Sequence, residues 1–96
     1  MRTQFTGGST AQTALKMADT YMATGHWETA ESLLREYCTE QADLNLRLAQ
    51  LEWRRECADY ASGLDWDALG ENGIYSELVT NFDKFVADWV MNEYKG

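Results

Sequence analysis

Apolar residues recur at intervals of three and four along most of the chain, the spacing that places side chains on one face of an α-helix. Glycines interrupt this pattern, chiefly at Gly25, Gly63 and Gly70, and the sequence contains no proline. The pattern predicts an all-α fold, a small bundle of about four helices. It also predicts a flexible N-terminus over residues 1–8 and a single helical domain over residues 9–96.

Two helices are predicted in the first part of the chain, over about 10–24 and 27–39. Gly25 separates them, since glycine readily adopts the left-handed conformation that closes a helix. The connection through Gly25 and His26 is too short to span any distance. We therefore expect these two helices to form an antiparallel hairpin.

The third predicted helix begins near Asp43, a residue type that caps helices, and ends at Gly63. It has two apolar sides. One side carries Leu46, Ala49, Trp53, Cys57 and Tyr60, and nearly the opposite side carries Leu44, Leu48, Leu51 and Ala58. An ordinary surface helix has a single apolar stripe. Two stripes predict either a helix between two neighbours or a helix whose second face binds a partner.

The last predicted helix covers about 74–94 and has the strongest periodic pattern of the chain. Its apolar side chains form a wide arc, and Glu77, Asp83 and Asp88 fall on the other side. Between the third and last helices, residues 65–73 are predicted to form a turn region with room for one short helical turn.

The first hairpin resembles a tetratricopeptide repeat, a helix–turn–helix unit of roughly 34 residues. The matching positions are Tyr21 in the first helix, Gly25 between the helices, Trp27 and the tight-packing Ala30 in the second, and Leu34 in place of the usual phenylalanine. The departures are Ala14, Met17, Ala18 and Ala42, where the family often has tryptophan, leucine, glycine and proline.

The resemblance covers residues 11–44, and the chain contains no second copy of the pattern. Such repeats normally need several stacked copies for stability. A lone tetratricopeptide-like (TPR-like) hairpin therefore implies that the remaining helices complete its packing. An unrelated hairpin that reached the same packing solution is the alternative.

Charge narrows the classes of function. Sixteen acidic and eight basic residues give a formal net charge of −8, which argues against direct nucleic-acid binding, because phosphates require a basic surface. The acidic residues concentrate towards the C-terminus, and six of them form the predicted acidic face: Asp65, Asp67, Glu71, Glu77, Asp83 and Asp88. No apolar run approaches the length of a membrane span, and the N-terminus lacks the apolar core of a signal peptide. We expect a cytoplasmic protein without a membrane partner.

Few residues of the sequence are candidates for catalysis or for metal binding. His26 is the only histidine, and no Ser or Cys near it has the context of a nucleophile. Cys38 and Cys57 together with His26 supply three ligands, whereas a structural zinc site takes four. Residues 65–77 match a calcium loop only at early positions, since Ser76 replaces the bidentate glutamate. We predict no catalytic residue, no metal and no cofactor.

The remaining candidates are aromatic and arginine side chains, the types that concentrate in interface hot spots. The predicted protein-binding residues are Leu48, Trp53, Arg54, Arg55, Tyr60 and Trp66. We expect a non-enzymatic, acidic interaction module that binds a protein partner, a basic one on charge grounds, or self-associates into a homo-oligomer. The alternative is an acidic inhibitor of the phage or plasmid type, which mimics nucleic acid to block a host-defence or nucleic-acid-binding protein.

Overall fold

The computed structural model describes residues 9–96, which are almost entirely helical and contain no strand within that range. The five helices are α1 (Ser9–Ala23), α2 (Trp27–Tyr37), α3 (Gln41–Ser62), α4 (Trp66–Asn81) and α5 (Lys84–Asn92). The all-α prediction is confirmed, with one helix more than the expected four. The flexible N-terminus predicted over 1–8 lies outside the described residues. No helix within 9–96 has both the length and the apolar character to cross a membrane.

The turn between α1 and α2 depends on Gly25, whose φ is +82°. Its N–H donates to the carbonyl oxygen of Met22 at 3.1 Å, and the N–H of His26 donates to that of Tyr21 at 2.8 Å. This pair of hydrogen bonds is the Schellman arrangement, which requires a left-handed residue at the position of Gly25. The left-handed glycine predicted here is confirmed, and α1 and α2 pack closely against each other.

The start of α3 differs from the prediction. Glu40 caps the helix, because its carboxylate accepts a hydrogen bond from the N–H of Asp43 at 2.7 Å. The carboxylate of Asp43, the predicted cap, instead accepts from Arg47 at 3.0 Å. The preceding helix also ends two residues early, since Cys38 is extended.

Two hydrophobic clusters share α3 between them. The hairpin cluster contains buried Ala18, Met22, Ala30, Leu34 and Leu51, and the C-terminal cluster contains buried Cys57, Ala61, Ile74, Leu78, Val86, Ala87 and Val90. Leu44 and Leu48 pack on the first cluster and Tyr60 on the second, so α3 lies between two sets of neighbours, as one of its two interpretations predicted. Trp89 contacts both clusters.

The helix predicted over 74–94 is in fact two helices. Helix α4 ends at Asn81, and Asp83 adopts an extended conformation with φ −154° and ψ 171°. The Asp83 carboxylate accepts a hydrogen bond from the N–H of Val86 at 2.8 Å and so caps α5. The apolar periodicity continues through the break because both helices face the same cluster.

The region 65–73, predicted as a turn, is largely helical. Asp65 caps α4 by accepting a hydrogen bond from the N–H of Ala68 at 3.0 Å. One helical turn follows, as the prediction allowed, and then Gly70 interrupts the helix with φ +69° and ψ 172°. The helix resumes beyond Gly70, because only this glycine has a non-helical conformation within α4.

Candidate functional site

Apolar side chains from α3 and α5 remain exposed on one side of the molecule. On α3, Leu46 is 57% exposed and Trp53 is 39% exposed, and their separation of two helical turns places them on the same side. On α5, Phe85 is 71% exposed, the largest fraction for any bulky apolar residue described. Gln50, Trp53 and Phe85 line one cavity of about 210 Å³. Leu46, Gln50, Trp53 and Phe85 are called the Trp53/Phe85 face below.

The ring of Trp53 is held in one orientation. Its indole N–H donates to Asp83 at 2.9 Å, and its ring packs edge-to-face on Phe82 with centroids 4.8 Å apart. Hydrogen bonds from the Val86 N–H and from the Trp53 indole hold the pKa of Asp83 below its usual value. Because Asp83 also caps α5, one carboxylate fixes both the ring and the helix that carries Phe85. The apolar surface is therefore ordered before any partner binds.

Arg54 borders this face. Its guanidinium lies 5.0 Å from the centroid of the Trp89 ring, a cation–π distance. Partial burial lowers the pKa of the guanidinium. The ion pairs formed within residues 9–96 do not include Arg54.

Three cavities lined by residues of α5 or its C-terminal end lie beside the Trp53/Phe85 face. The cavity of about 210 Å³ shares Arg54 and Phe85 with a second cavity of about 320 Å³. The second cavity shares Arg54 and Trp89 with a third, of about 480 Å³, which reaches Asp19 on α1 and Lys95 beyond α5. Arg54 lines all three cavities, which are together called the α5 groove below.

The six predicted protein-binding residues lie in several places. Trp53 and Arg54 lie together at the α5 groove. Leu48 is half-buried in the hairpin cluster, and Arg55 lines a separate cavity at the α1–α2 turn. The Tyr60 hydroxyl donates to Glu77 at 3.0 Å, which raises the tyrosine pKa.

Trp66 is exposed but lies beyond the end of α3, where its indole N–H donates to the carbonyl oxygen of Ala61 at 2.8 Å. Sequence reasoning did not assign Phe85 to a site, because the arc of one continuous helix placed it in the core. The signal for its exposure is Asp83, a capping residue type that begins a new helix before Phe85.

Most of the predicted acidic face takes part in internal hydrogen bonds. Asp65 and Asp83 cap helices, and Glu77 accepts from Tyr60. Asp88 accepts from the Tyr75 hydroxyl at 2.7 Å and from Lys84 at 2.9 Å, and both bonds lower its pKa. The other two, Asp67 and Glu71, are exposed near the start of α4.

The residues considered for catalysis and metal binding have structural contacts. His26 Nδ1 lies 2.8 Å from the Thr24 hydroxyl in the exposed turn after α1. Cys57 is fully buried, and burial raises the pKa of its thiol to about 11, which keeps it protonated at neutral pH. Cys38 belongs to a different region and donates to Asp43 at 3.3 Å. Over residues 9–96, no three potential metal-ligating side chains converge on one point.

Comparison with protein-family models, with curated proteins and with solved structures gives no match for this chain. The function of the Trp53/Phe85 face is therefore inferred from its own contacts and exposure.

Proposed function

We propose that the protein is a non-enzymatic helical interaction module that binds a protein partner through the Trp53/Phe85 face. The observation that carries this proposal is the pairing of Trp53 and Phe85, two exposed aromatic residues from different helices that line one cavity. Exposed apolar patches on small soluble proteins mark interaction sites. Tryptophan and arginine are enriched among the residues that dominate binding energy, and Arg54 lines the same cavity.

The test is a Phe85→Asp variant, compared with Met17→Asp as a matched control. Met17 is 43% exposed on α1 and lines none of the three cavities of the α5 groove, so the control adds the same charge to an exposed apolar position elsewhere. Each variant is immobilised, exposed to extract of the native host, and analysed by mass spectrometry. We expect a partner that wild type and M17D retain and that F85D loses. A partner retained equally by all three contradicts the proposal.

The alternative partner is a second copy of the chain, bound through the same face. Light scattering distinguishes this self-association from binding to a different protein, because it measures the mass of the purified protein. An oligomer of wild type that F85D converts to monomer identifies another copy of the chain as the occupant. Circular dichroism of F85D checks that its helices remain, as expected for a change at a residue that is 71% exposed.

Mimicry of nucleic acid is less well supported. Four of the six carboxylates in the predicted acidic face accept hydrogen bonds from the chain itself, which directs them towards internal donors. Salt separates the two proposals, since matched surface charge is screened above physiological ionic strength and apolar contact is not. Binding that F85D leaves intact and that 0.5 M salt abolishes would favour mimicry.

We also propose that α1 and α2 are a single TPR-like unit of a cytoplasmic protein. Ala30, the tight-packing position of the resemblance, is fully buried, and Leu34 is buried beside it in the hairpin cluster. The packing of α3 on this cluster supplies the neighbour that a lone unit needs.

A further inference from the structure

We infer that the start of α4 is a second docking surface, and that it binds a protein segment in which lysine or arginine stands beside a bulky apolar side chain. The surface consists of Trp66, Asp67, Leu69 and Glu71 and is called the Trp66/Leu69 surface below. It is independent of the proposed function, because no residue of α4 lines the α5 groove.

The start of α4 has no buried side. Every residue from 65 to 72 is exposed, so this part of the helix lacks the inward face by which helices of small proteins normally pack. Trp66 is 43% exposed and Leu69 is 41% exposed. Because they are three positions apart on one helical turn, their side chains are neighbours on its surface. They form an apolar pair that the rest of 9–96 leaves exposed, a feature that marks interaction sites.

Contacts with the chain hold this apolar pair in position. Asp65 caps the helical turn that carries it. The indole N–H of Trp66 donates to the carbonyl oxygen of Ala61 at 2.8 Å, which keeps the ring near the end of α3. Leu69 lies so close to Gly73 that a Cβ atom added to this glycine would be 2.9 Å from the Leu69 Cβ. A partner therefore meets side chains that are already placed, which lowers the cost of binding.

The charge around the apolar pair favours a basic occupant. Residues 56–83 include seven acidic residues and no lysine or arginine. The basic residues that flank this range have other surroundings, since Arg55 lines the cavity at the α1–α2 turn and Lys84 pairs with a carboxylate of its own helix at 2.9 Å. Asp67 and Glu71 form no ion pair within residues 9–96. Lysine or arginine on a partner complements these two carboxylates.

A second copy of the chain is a poorer occupant. It would bring another formal charge of −8 to a surface that is itself acidic. Nucleic acid is disfavoured for the same reason, because its phosphates require a basic surface. A basic segment of another protein satisfies both the apolar pair and the carboxylates beside it.

The experiment selects peptides from a random library displayed on phage. Wild type is the target, and the counter-target carries Asp67→Asn, Leu69→Ser and Glu71→Gln. Both are immobilised as the full chain. We expect the enriched peptides to combine lysine or arginine with a bulky apolar residue. Enrichment of neutral or acidic peptides overturns the inference, and so does failure to enrich any peptide that the counter-target rejects.

A selected peptide is then synthesised, and its affinity is measured by fluorescence anisotropy. L69S alone and the charge variant D67N/E71Q should each weaken binding about tenfold. All three residues are exposed, so circular dichroism of both variants should match that of wild type. An affinity that either variant leaves unchanged contradicts the assignment of the apolar pair or of the carboxylates to the site.

Two matched controls separate this surface from the general properties of the chain. Leu46→Ser changes an exposed leucine of the Trp53/Phe85 face. The double variant Glu28→Gln with Glu36→Gln removes two exposed carboxylates of α2. Both should bind the peptide as wild type does. Equal weakening by E28Q/E36Q and by D67N/E71Q overturns the inference, because net charge rather than the Trp66/Leu69 surface then attracts the peptide.

The inference and the proposed function fail separately. F85D should retain the selected peptide, because Phe85 is not part of the Trp66/Leu69 surface. A peptide that F85D loses belongs to the Trp53/Phe85 face, which overturns the inference and leaves the proposed function standing. The proposed function fails when F85D alters neither retention of a host partner nor the mass of the protein, whatever the selected peptide does.

Discussion

At the scale of single residues, Asp83 connects the fold to the candidate site. One carboxylate oxygen accepts from the N–H of Val86 and caps α5, and the other accepts from the indole N–H of Trp53 on α3. The bond from Trp53 joins residues 30 positions apart in the sequence, whereas the bond from Val86 joins residues three positions apart. The position of Phe85 relative to Trp53 therefore depends on the Asp83 side chain, which also stabilises the fold by capping α5.

Replacing Asp83 with alanine should lower the free energy of unfolding by about 1–2 kcal/mol, the usual effect of losing a helix cap. Asp83→Ser should recover most of the loss, since serine also caps helices. Because hydrogen bonds from the Val86 N–H and the Trp53 indole lower the pKa of folded Asp83 below its usual value, their contribution to stability is complete at neutral pH and disappears as pH falls through the folded pKa. Urea unfolding of wild type, D83A and D83S at pH 7 measures the loss of the cap, and repeating the comparison of wild type with D83A at successively lower pH should show the difference in the free energy of unfolding shrink.

Asp67→Ala is the matched control, because Asp67 is an exposed aspartate in the first turn of α4 and does not cap that helix. We expect this surface substitution to change the free energy of unfolding by no more than about 0.5 kcal/mol. Equal destabilisation by D67A and D83A would contradict the structural role assigned to Asp83.

At the scale of helices, small residues allow α1 and α2 to approach. Ala18 on α1 and Ala30 on α2 are both fully buried within the hairpin cluster. A larger side chain at either position must displace a helix, since well-packed interiors leave no space for added methylenes. The close approach explains why the hairpin has alanine where a helix core ordinarily has leucine.

Ala30→Leu should therefore destabilise the protein by about 1–3 kcal/mol, the typical effect of overpacking. Ala49→Leu makes the same chemical change at an exposed position of α3 and should have little effect. Thermal unfolding followed by circular dichroism compares the two variants. If A30L has the stability of wild type, the helices do not approach as closely at Ala30 as its complete burial indicates.

At the scale of the whole molecule, residues 9–96 form one domain only if the hairpin cluster and the C-terminal cluster fold and unfold together. Helix α3 contributes Leu51 to the hairpin cluster and Cys57 to the C-terminal cluster. Trp89 packs on both clusters, and Tyr94 stacks on Trp27 with ring centroids 6.0 Å apart. The Lys95 N–H further ties the C-terminal segment to the carbonyl oxygen of Ala23 at 2.7 Å. These links predict cooperative unfolding.

Leu34→Ala and Leu78→Ala remove buried side chains from the hairpin and C-terminal clusters respectively. Each should reduce the free energy of unfolding by about 2–5 kcal/mol. In a single domain, either variant should lower hydrogen-exchange protection in both α2 and α4, because their most protected amides exchange through global unfolding. Loss of protection confined to the cluster that carries the substitution would mean two independent units.

The periodicity of the sequence was sufficient to place α1, α2 and α3 within a few residues. It did not reveal the break at Asp83, because α4 and α5 face one cluster and the apolar arc continues across both. The candidate site was predicted only at Trp53 and Arg54. Phe85 was missed because its exposure depends on the direction in which α5 leaves α4.

The sequence by itself determined the all-α fold and the glycine-dependent turn after α1. Both depend on interactions between residues a few positions apart, such as helical hydrogen bonds and the left-handed conformation of Gly25. The tertiary structure alone decided which face of α3 is covered and which remains exposed. That choice depends on which distant helices meet, so Leu48 packs in the hairpin cluster while Trp53 and Phe85 remain exposed beside the α5 groove.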